Sequence, residues 1–186
     1  MSSTAFDPLQ LTVEAFAKQG ALLNGEWPLS ELTRLQESTH AHGADDGAAV
    51  VEWQLRGESR GSRSCPQEVW LHLQANTSVA LTCQRCLQPV SQHIAAERSF
   101  RFVHGEATAA ELDAQSEDDI LALSRFLDGR ELIEDELLLS LPLVPRHEVC
   151  PQPLVASSAT PDFGNGGEQE HPFAALAQLK RHKPLQ

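Results

Sequence analysis

The 186-residue sequence has few aromatic residues, no tyrosine and a single methionine. No stretch approaches the roughly 18 consecutive apolar residues of a membrane span, and the opening MSSTAFDPLQL lacks the basic start and apolar run of a secretory signal. Four cysteines are too few for a disulfide scaffold in a chain of this length. These absences predict a cytoplasmic protein with no membrane association and no structural disulfides.

The sequence also has fewer basic than acidic residues. Lysine and arginine total 14 against 26 acidic residues, so the formal net charge is −12. Such a charge repels a polyanion at long range, and composition taken alone therefore argues against nucleic-acid binding. The 41% apolar and 22% charged content is that of an ordinary globular protein, and the length favours one domain with tails over two marginal halves.

Alternation of apolar and polar residues dominates the middle of the chain, as half-buried strands require. It is seen in residues 50–56, 69–73, 79–83 and 94–102. We expect the second and third of these to form an antiparallel hairpin with its turn near Asn76 and Thr77, and ILALSRFLDG to add a strand. The predicted fold is α+β, with an antiparallel sheet of about five strands that could curl towards a barrel, flanked by a few helices.

Cap residues, charge runs and turn-forming residues divide the chain further. DGRELIEDELLLSL has helical spacing and a capping box at Asp128 and Glu131, whereas HGEATAAELDAQSEDD has six acidic residues and little to bury. The predicted parts are an N-terminal helical segment, a sheet core containing an acidic loop and a helix, a flexible linker, and a short helix with a basic tail. Their bounds are 1–40, 41–150 (loop 104–119, helix 130–141), 151–170 and 171–186.

Two short cysteine-containing motifs predict a metal site. Cys83 and Cys86 lie in LTCQRCLQPV, where two intervening residues allow both thiolates to face one tetrahedral zinc ion about 2.3 Å away. His147 and Cys150 in PRHEVCPQP have the same spacing in a proline-bounded loop. Together they would form a closed four-coordinate structural site that joins two loops and adds its binding free energy to folding.

Other interpretations of these residues stay open. The C-x-x-C pair could be two reduced thiols at a strand end, with His147 and Cys150 unrelated to them. Thioredoxin-like chemistry is disfavoured, because it needs the first thiol at a helix N-terminus and a strand is predicted before Cys83. A deaminase needs P-C-x-x-C, and Thr82 stands in the place of that proline. Cys65 has no close partner in sequence and is predicted to be a lone loop thiol.

The sequence contains no arrangement typical of an enzyme. It has no glycine-rich phosphate loop, no G-x-S-x-G and no H-E-x-x-H. The neighbouring acids Asp118–Asp119 and Glu134–Glu136 are interpreted as solvated charges on a loop and a helix. We therefore expect no catalysis and no small-molecule substrate.

Three segments resemble landmarks of the YceD family: LTCQRCLQPV, EDELLLSLPLVPRHEVC and the terminal HPFAALAQLKRHK. They occur in the family's order and spacing from about residue 50 to the C-terminus. The resemblance implies a non-enzymatic factor needed for synthesis, processing or stability of large-subunit (23S) ribosomal RNA. Some members have a further C-x-x-C pair after the acidic helix, which is reduced here to His147 and Cys150, and His171 replaces an asparagine of the terminal motif.

Such a role predicts ribosomal RNA or ribosome-assembly proteins as partners. Because screening limits charge effects to roughly 8 Å, a local basic patch could bind phosphates despite the acidic total. The candidates are Arg85, Arg98, Arg101, Lys180, Arg181 and Lys183. The alternatives are that these residues are solubilising charges paired with acids, or that the chain is a zinc-stapled adaptor whose acidic segments recruit a basic ribosomal protein or nuclease.

Overall fold

A five-stranded sheet lies at the centre of the structure, a computed structural model that describes residues 6–40, 49–61 and 67–151. The strands, in both chain and spatial order, are β1 (Leu22–Pro28), β2 (Val50–Arg60), β3 (Glu68–Thr82), β4 (Pro89–Val103) and β5 (Asp119–Ala122). The helices are α1 (Val13–Lys18), α2 (Thr33–Glu37), α3 (Glu106–Asp113) and α4 (Gly129–Leu139), with a 3-10 turn at Leu29–Glu31. Apart from Pro151, the predicted linker and C-terminal helix lie outside the described residues.

The α+β class is confirmed, but the sheet is mixed and open. β1 to β4 pair antiparallel, whereas β5 runs parallel to β4. A parallel neighbour needs a crossover connection, and α3 provides it between β4 and β5. Within the described residues β1 and β5 are the two edges and do not pair with each other, so the suggested barrel is wrong.

The predicted hairpin at residues 69–83 is also wrong, because β3 is a single 15-residue strand. Asn76 pairs with Glu52 and Thr77 with Ile94 in the middle of the ladder. Thr77 is only 3% exposed, and its hydroxyl donates to the carbonyl of Val50 at 2.9 Å. Pairing on both sides therefore keeps these two turn-forming residues in an extended strand. The alternation of buried side chains continues from Val69 to Leu81 without a change of phase.

The N-terminal segment, predicted to consist of short helices separated by turns, contains the edge strand β1. Asn24, Gly25 and Pro28 are poor strand formers, so pairing with β2 decides the conformation. Gly25 is required on the core side, since a Cβ there would lie 2.9 Å from the Trp53 indole. That indole stacks on Trp27 with centroids 4.4 Å apart.

The acidic segment 104–119 also differs from its predicted loop, because residues Glu106–Asp113 form α3. Only Ala109 of this helix is buried, so the segment has no periodic apolar residues from which a helix could be predicted. The prediction of a helix at 130–141 agrees closely with α4, and the Asp128 half of the predicted capping box is present. The Asp128 carboxylate accepts the N–H groups of Arg130 and Glu131 at 2.9 and 3.1 Å.

The core lies between the helices and one face of the sheet. α1 packs on β2 and β3, and α4 packs on β3, β4 and α2. Gly57 permits the approach of α1, because a Cβ there would lie 2.8 Å from the Ala17 backbone. The opposite face of β2 to β4 carries mainly polar side chains.

The prediction that Glu134 and Glu136 are solvated helix charges is wrong, because both residues are buried. The Glu134 carboxylate accepts the backbone N–H groups of Arg34 and Leu35 at 2.8 and 3.0 Å, and it pairs with the Arg34 guanidinium. It thus satisfies free donors at the start of α2. Glu136 pairs with Arg98 at 3.2 Å.

Candidate metal centre

The knuckle, which is the turn at residues 83–88 between β3 and β4, contains Cys83 and Cys86. The Cys83 N–H donates to the Gln88 carbonyl, and the Leu87 N–H donates to the Cys83 carbonyl, both at 2.9 Å. Leu87 adopts the left-handed conformation at φ +61°, which is uncommon for a residue with a Cβ and allows this tight reversal. Both cysteines are buried and belong to the hydrophobic core cluster.

The stapled loop, which is the segment at residues 142–151 after α4, lies against the knuckle. The Gln84 N–H donates to the Pro145 carbonyl at 2.9 Å. Arg85 extends from the knuckle and donates through Nη2 to the carbonyls of His147 and Glu148 at 3.1 and 3.2 Å. These bonds place the second predicted ligand pair beside the first.

The structure brings Cys83, Cys86, His147 and Cys150 together, with their ligand atoms all within 4.8 Å of one another. The Sγ atoms of Cys83 and Cys150 are 3.8 Å apart, and Cys86 Sγ is 3.4 Å from His147 Nδ1. Tetrahedral zinc with bonds of about 2.3 Å to sulfur and 2.0–2.1 Å to nitrogen separates such atoms by about 3.8 and about 3.5 Å. The donor set and these two separations fit a Cys₃His zinc centre.

Hydrogen bonding around His147 fixes which ring nitrogen faces the centre. Its Nε2 lies 3.0 Å from the Pro89 carbonyl, which can only accept, so Nε2 carries the proton. The lone pair is then on Nδ1, the nitrogen beside Cys86. A backbone carbonyl holding the outer nitrogen of a ligating histidine is a common feature of zinc sites.

The thiols differ in their tendency to ionise. Burial opposes ionisation of Cys83, but hydrogen bonds from the backbone of His147, Arg85 and Cys86 outweigh it and lower its pKa to about 5. Burial raises the pKa of Cys86, and the nearby Cys150 and Cys83 side chains add to the effect. Negative charge on sulfur atoms this close is mutually repulsive, and a divalent cation bound between them would offset that repulsion.

Arg85 supplies a positive charge at the edge of the cluster. Its Nε donates to Cys150 Sγ at 2.9 Å, and this bond to the sulfur raises the pKa of the guanidinium. Three thiolates and one neutral imidazole around a bound Zn²⁺ would leave a net charge of about −1, which Arg85 would offset. This residue had been predicted as an RNA contact, and its donors are instead directed at the metal centre.

The other predicted RNA contacts do not form one patch with Arg85 in the described ranges. Arg98 lies on the helix-covered face of β4 beside Glu136, and Arg101 lies on the open face, where it pairs with Glu68 at 2.9 Å. Lys180, Arg181 and Lys183 lie outside the described residues, as does Cys65.

The open face holds one polar network that sequence reasoning missed. His72 Nδ1 lies 2.8 Å from Ser99 Oγ, and His72 Nε2 lies 2.7 Å from Glu58 Oε2. The three residues come from β3, β4 and β2, so no local spacing could reveal them. Although the residue types match a hydrolase triad, they lie on three neighbouring strands of the open sheet face, whereas acyl transfer needs a cleft with converging N–H donors. We assign the network to strand pairing.

The fold and the cluster together define a two-layer α+β protein with a Cys₃His candidate metal centre that joins a strand turn to a loop after a helix. The family profile described as "Large ribosomal RNA subunit accumulation protein YceD" matches residues 71–180, which include all four cluster residues. The chain belongs to the YceD family.

A curated relative agrees with this assignment. The protein of Haemophilus influenzae named large ribosomal RNA subunit accumulation protein YceD is 34% identical over 110 residues, which cover 55% of this chain and 60% of the relative. No solved structure matches the chain. In the described part of the chain, no helix is long and apolar enough to cross a membrane.

Proposed function

We propose that this chain is a non-enzymatic cytoplasmic factor that promotes the accumulation of large-subunit ribosomal RNA, with a structural zinc ion stapling its fold. Membership of the YceD family supports the ribosomal role. The meeting of Cys83, Cys86, His147 and Cys150 supports the zinc ion, because four soft and borderline donors lie within 4.8 Å of one another. All four ligand positions are filled by protein, which is typical of a structural site and leaves no open position for a substrate.

The ribosomal role is tested by complementation of a bacterium that lacks its own family member. We expect the chain to restore the ratio of large-subunit to small-subunit ribosomal RNA, and Cys83→Ser to restore it less at equal protein level. Cys65→Ser is the matched control, because it removes a thiol outside the quartet. Failure of the wild-type chain to change the ratio would count against the role.

Zinc is tested separately by metal analysis of purified protein. We expect about one zinc ion per chain in the wild type and in Cys65→Ser, and much less in Cys83→Ser or Cys150→Ser. Equal, near-zero zinc in all four proteins would reject the metal centre and leave the ribosomal role to family membership.

The surface charges favour action through a protein over direct RNA contact. In the described ranges, Arg85, Arg98 and Arg101 each engage a sulfur or a carboxylate and lie on separate parts of the molecule. Glu26, Glu52 and Glu97 on the open sheet face form no ion pair with any described residue. The second candidate function is therefore an adaptor that binds a basic ribosomal protein or nuclease.

A salt titration separates these two modes. Binding to protein-free large-subunit ribosomal RNA should be weak and insensitive to Arg98→Gln or Arg101→Gln if the chain is an adaptor. Tight RNA binding that weakens steeply with salt, with a smaller slope in the arginine variants, would favour direct contact instead.

A further inference from the structure

The stapled loop exposes apolar side chains although its backbone is held in place. Leu143 is 99% exposed and Val149 is 85% exposed, more than any other large apolar side chain in the described ranges, and Val144 is 55% exposed. The loop backbone is bonded to the knuckle at Pro145, His147 and Glu148. Aliphatic side chains presented to water on a restrained backbone are typical of a contact surface.

The same loop carries both signs of charge without pairing them. Arg146 and Glu148 are exposed, and neither forms an ion pair with any described residue, including each other. Both line a cleft of about 420 Å³, together with Val144 and Arg85. The loop patch, defined as Leu143, Val144, Arg146, Glu148 and Val149, thus combines aliphatic area with one free cation and one free anion in the part of the chain that the structure describes.

We propose that the loop patch is the contact surface of a homodimer, with a second copy of this chain as its occupant. In a two-fold interface residue i meets residue j while j meets i, so Arg146 of each copy can pair with Glu148 of the other. The aliphatic side chains then cover each other at the centre. This self-complementarity distinguishes the patch from an RNA surface, which uses aromatic stacking and an excess of basic groups. The patch has no aromatic residue, and its two free charges cancel.

The metal centre would support the dimer by fixing the loop. Because His147 and Cys150 lie within and beside the patch, their coordination would hold Arg146, Glu148 and Val149 in one arrangement. The inference goes beyond the proposed ribosomal function and does not depend on it. It is tested on the purified full chain in the absence of RNA.

Sedimentation equilibrium of the zinc-loaded chain over a range of concentrations provides the first test. We expect a monomer–dimer equilibrium whose Kd rises about tenfold or more in Leu143→Asp and in Val149→Asp. Leu22→Asp is the matched control, because Leu22 is an exposed aliphatic residue at the start of β1 and should leave the Kd unchanged. Zinc content and circular dichroism confirm that each variant is folded.

A charge exchange provides the second test. Arg146→Glu and Glu148→Arg should each weaken the dimer, and the double variant should restore it, since both pairs are then opposite again. A wild-type chain that stays monomeric at all concentrations would overturn the proposal, as would a dimer that none of these variants affects. If the chain is monomeric and the same variants lose binding to ribosomal RNA, the patch is an RNA contact and the dimer is rejected. A monomeric variant that still restores ribosomal RNA in cells would leave the ribosomal role intact.

Discussion

One side chain outside the ligand set contacts the candidate metal centre. Arg85 contacts Cys150 through one nitrogen and two loop carbonyls through another, so it links charge balance to loop position. Side chains that contact the ligands of a metal ion contribute substantially to the affinity of the protein for that metal, because they orient the ligands and offset their charge. The C-x-x-C motif alone could not reveal this, since the contact spans 65 positions in sequence.

Arg85→Met should weaken zinc binding by about 10- to 100-fold while leaving one zinc per chain at saturation. The thioether keeps much of the side-chain bulk but removes the charge and all donors. Competition with a chromophoric chelator measures the affinity. Arg125→Met is the control, because Arg125 is an exposed arginine that forms no ion pair in the described ranges and lies in neither the knuckle nor the stapled loop. Equal affinities of the two variants would contradict the assignment.

Glu58 predicts a pH dependence of stability at the residue scale. Hydrogen bonds from Arg60 and His72 lower its pKa from 4.5 to about 2. A carboxyl group whose pKa is lower in the folded state stabilises the protein fully above the unfolded pKa, and this stabilisation is lost as the pH falls through the folded pKa. The difference in unfolding free energy between the wild type and Glu58→Gln should therefore shrink as the pH falls from about 4.5 to about 2. Urea unfolding at several pH values measures it, and a difference that grows towards pH 2 would refute the assignment.

At the scale of elements, α4 anchors the short helix α2 through one buried carboxylate. Glu134 binds two backbone N–H groups of α2, and the exposed Asp135 beside it pairs with the same arginine, Arg34. A helix of five residues has little stability of its own. The short α2 is thus held mainly by packing and by this contact.

Glu134→Ala should destabilise the protein by about 1–3 kcal/mol, because it leaves buried N–H donors of α2 without a partner. Asp135→Ala provides the matched control, since it removes an exposed ion pair to the same guanidinium and should cost under about 1 kcal/mol. Denaturant unfolding at neutral pH gives both values. Similar losses in the two variants would show that the buried cap contributes no more than the surface pair.

For the whole molecule, the candidate metal centre ties the β3–β4 turn to the segment that follows α4. Without a metal, only hydrogen bonds and limited packing hold the stapled loop, whose largest aliphatic side chains point to solvent. The cluster therefore connects the two layers of the fold at one end of β3 and β4.

Chelation should lower the melting midpoint of the wild type by several degrees, because metal binding to the folded state adds directly to its stability. The midpoint of Cys150→Ser should already be lower and respond less to chelator, whereas Cys65→Ser should behave like the wild type. Differential scanning calorimetry measures all three. A wild-type midpoint that chelator leaves unchanged would argue against a structural metal ion.

The sequence by itself determined the features that depend on near neighbours. Alternation located β2 and β4, the cap at Asp128 located α4, and the two ligand pairs were evident from their spacing. Only the tertiary structure decided that β3 continues through Asn76 and Thr77, that β1 is a strand, and that β5 runs parallel. It also decided that the two ligand pairs meet and that the arginines are dispersed. The physical reason is that periodicity and capping act over a few residues, whereas strand pairing, charge pairing and ligand convergence depend on contacts between residues that are tens of positions apart.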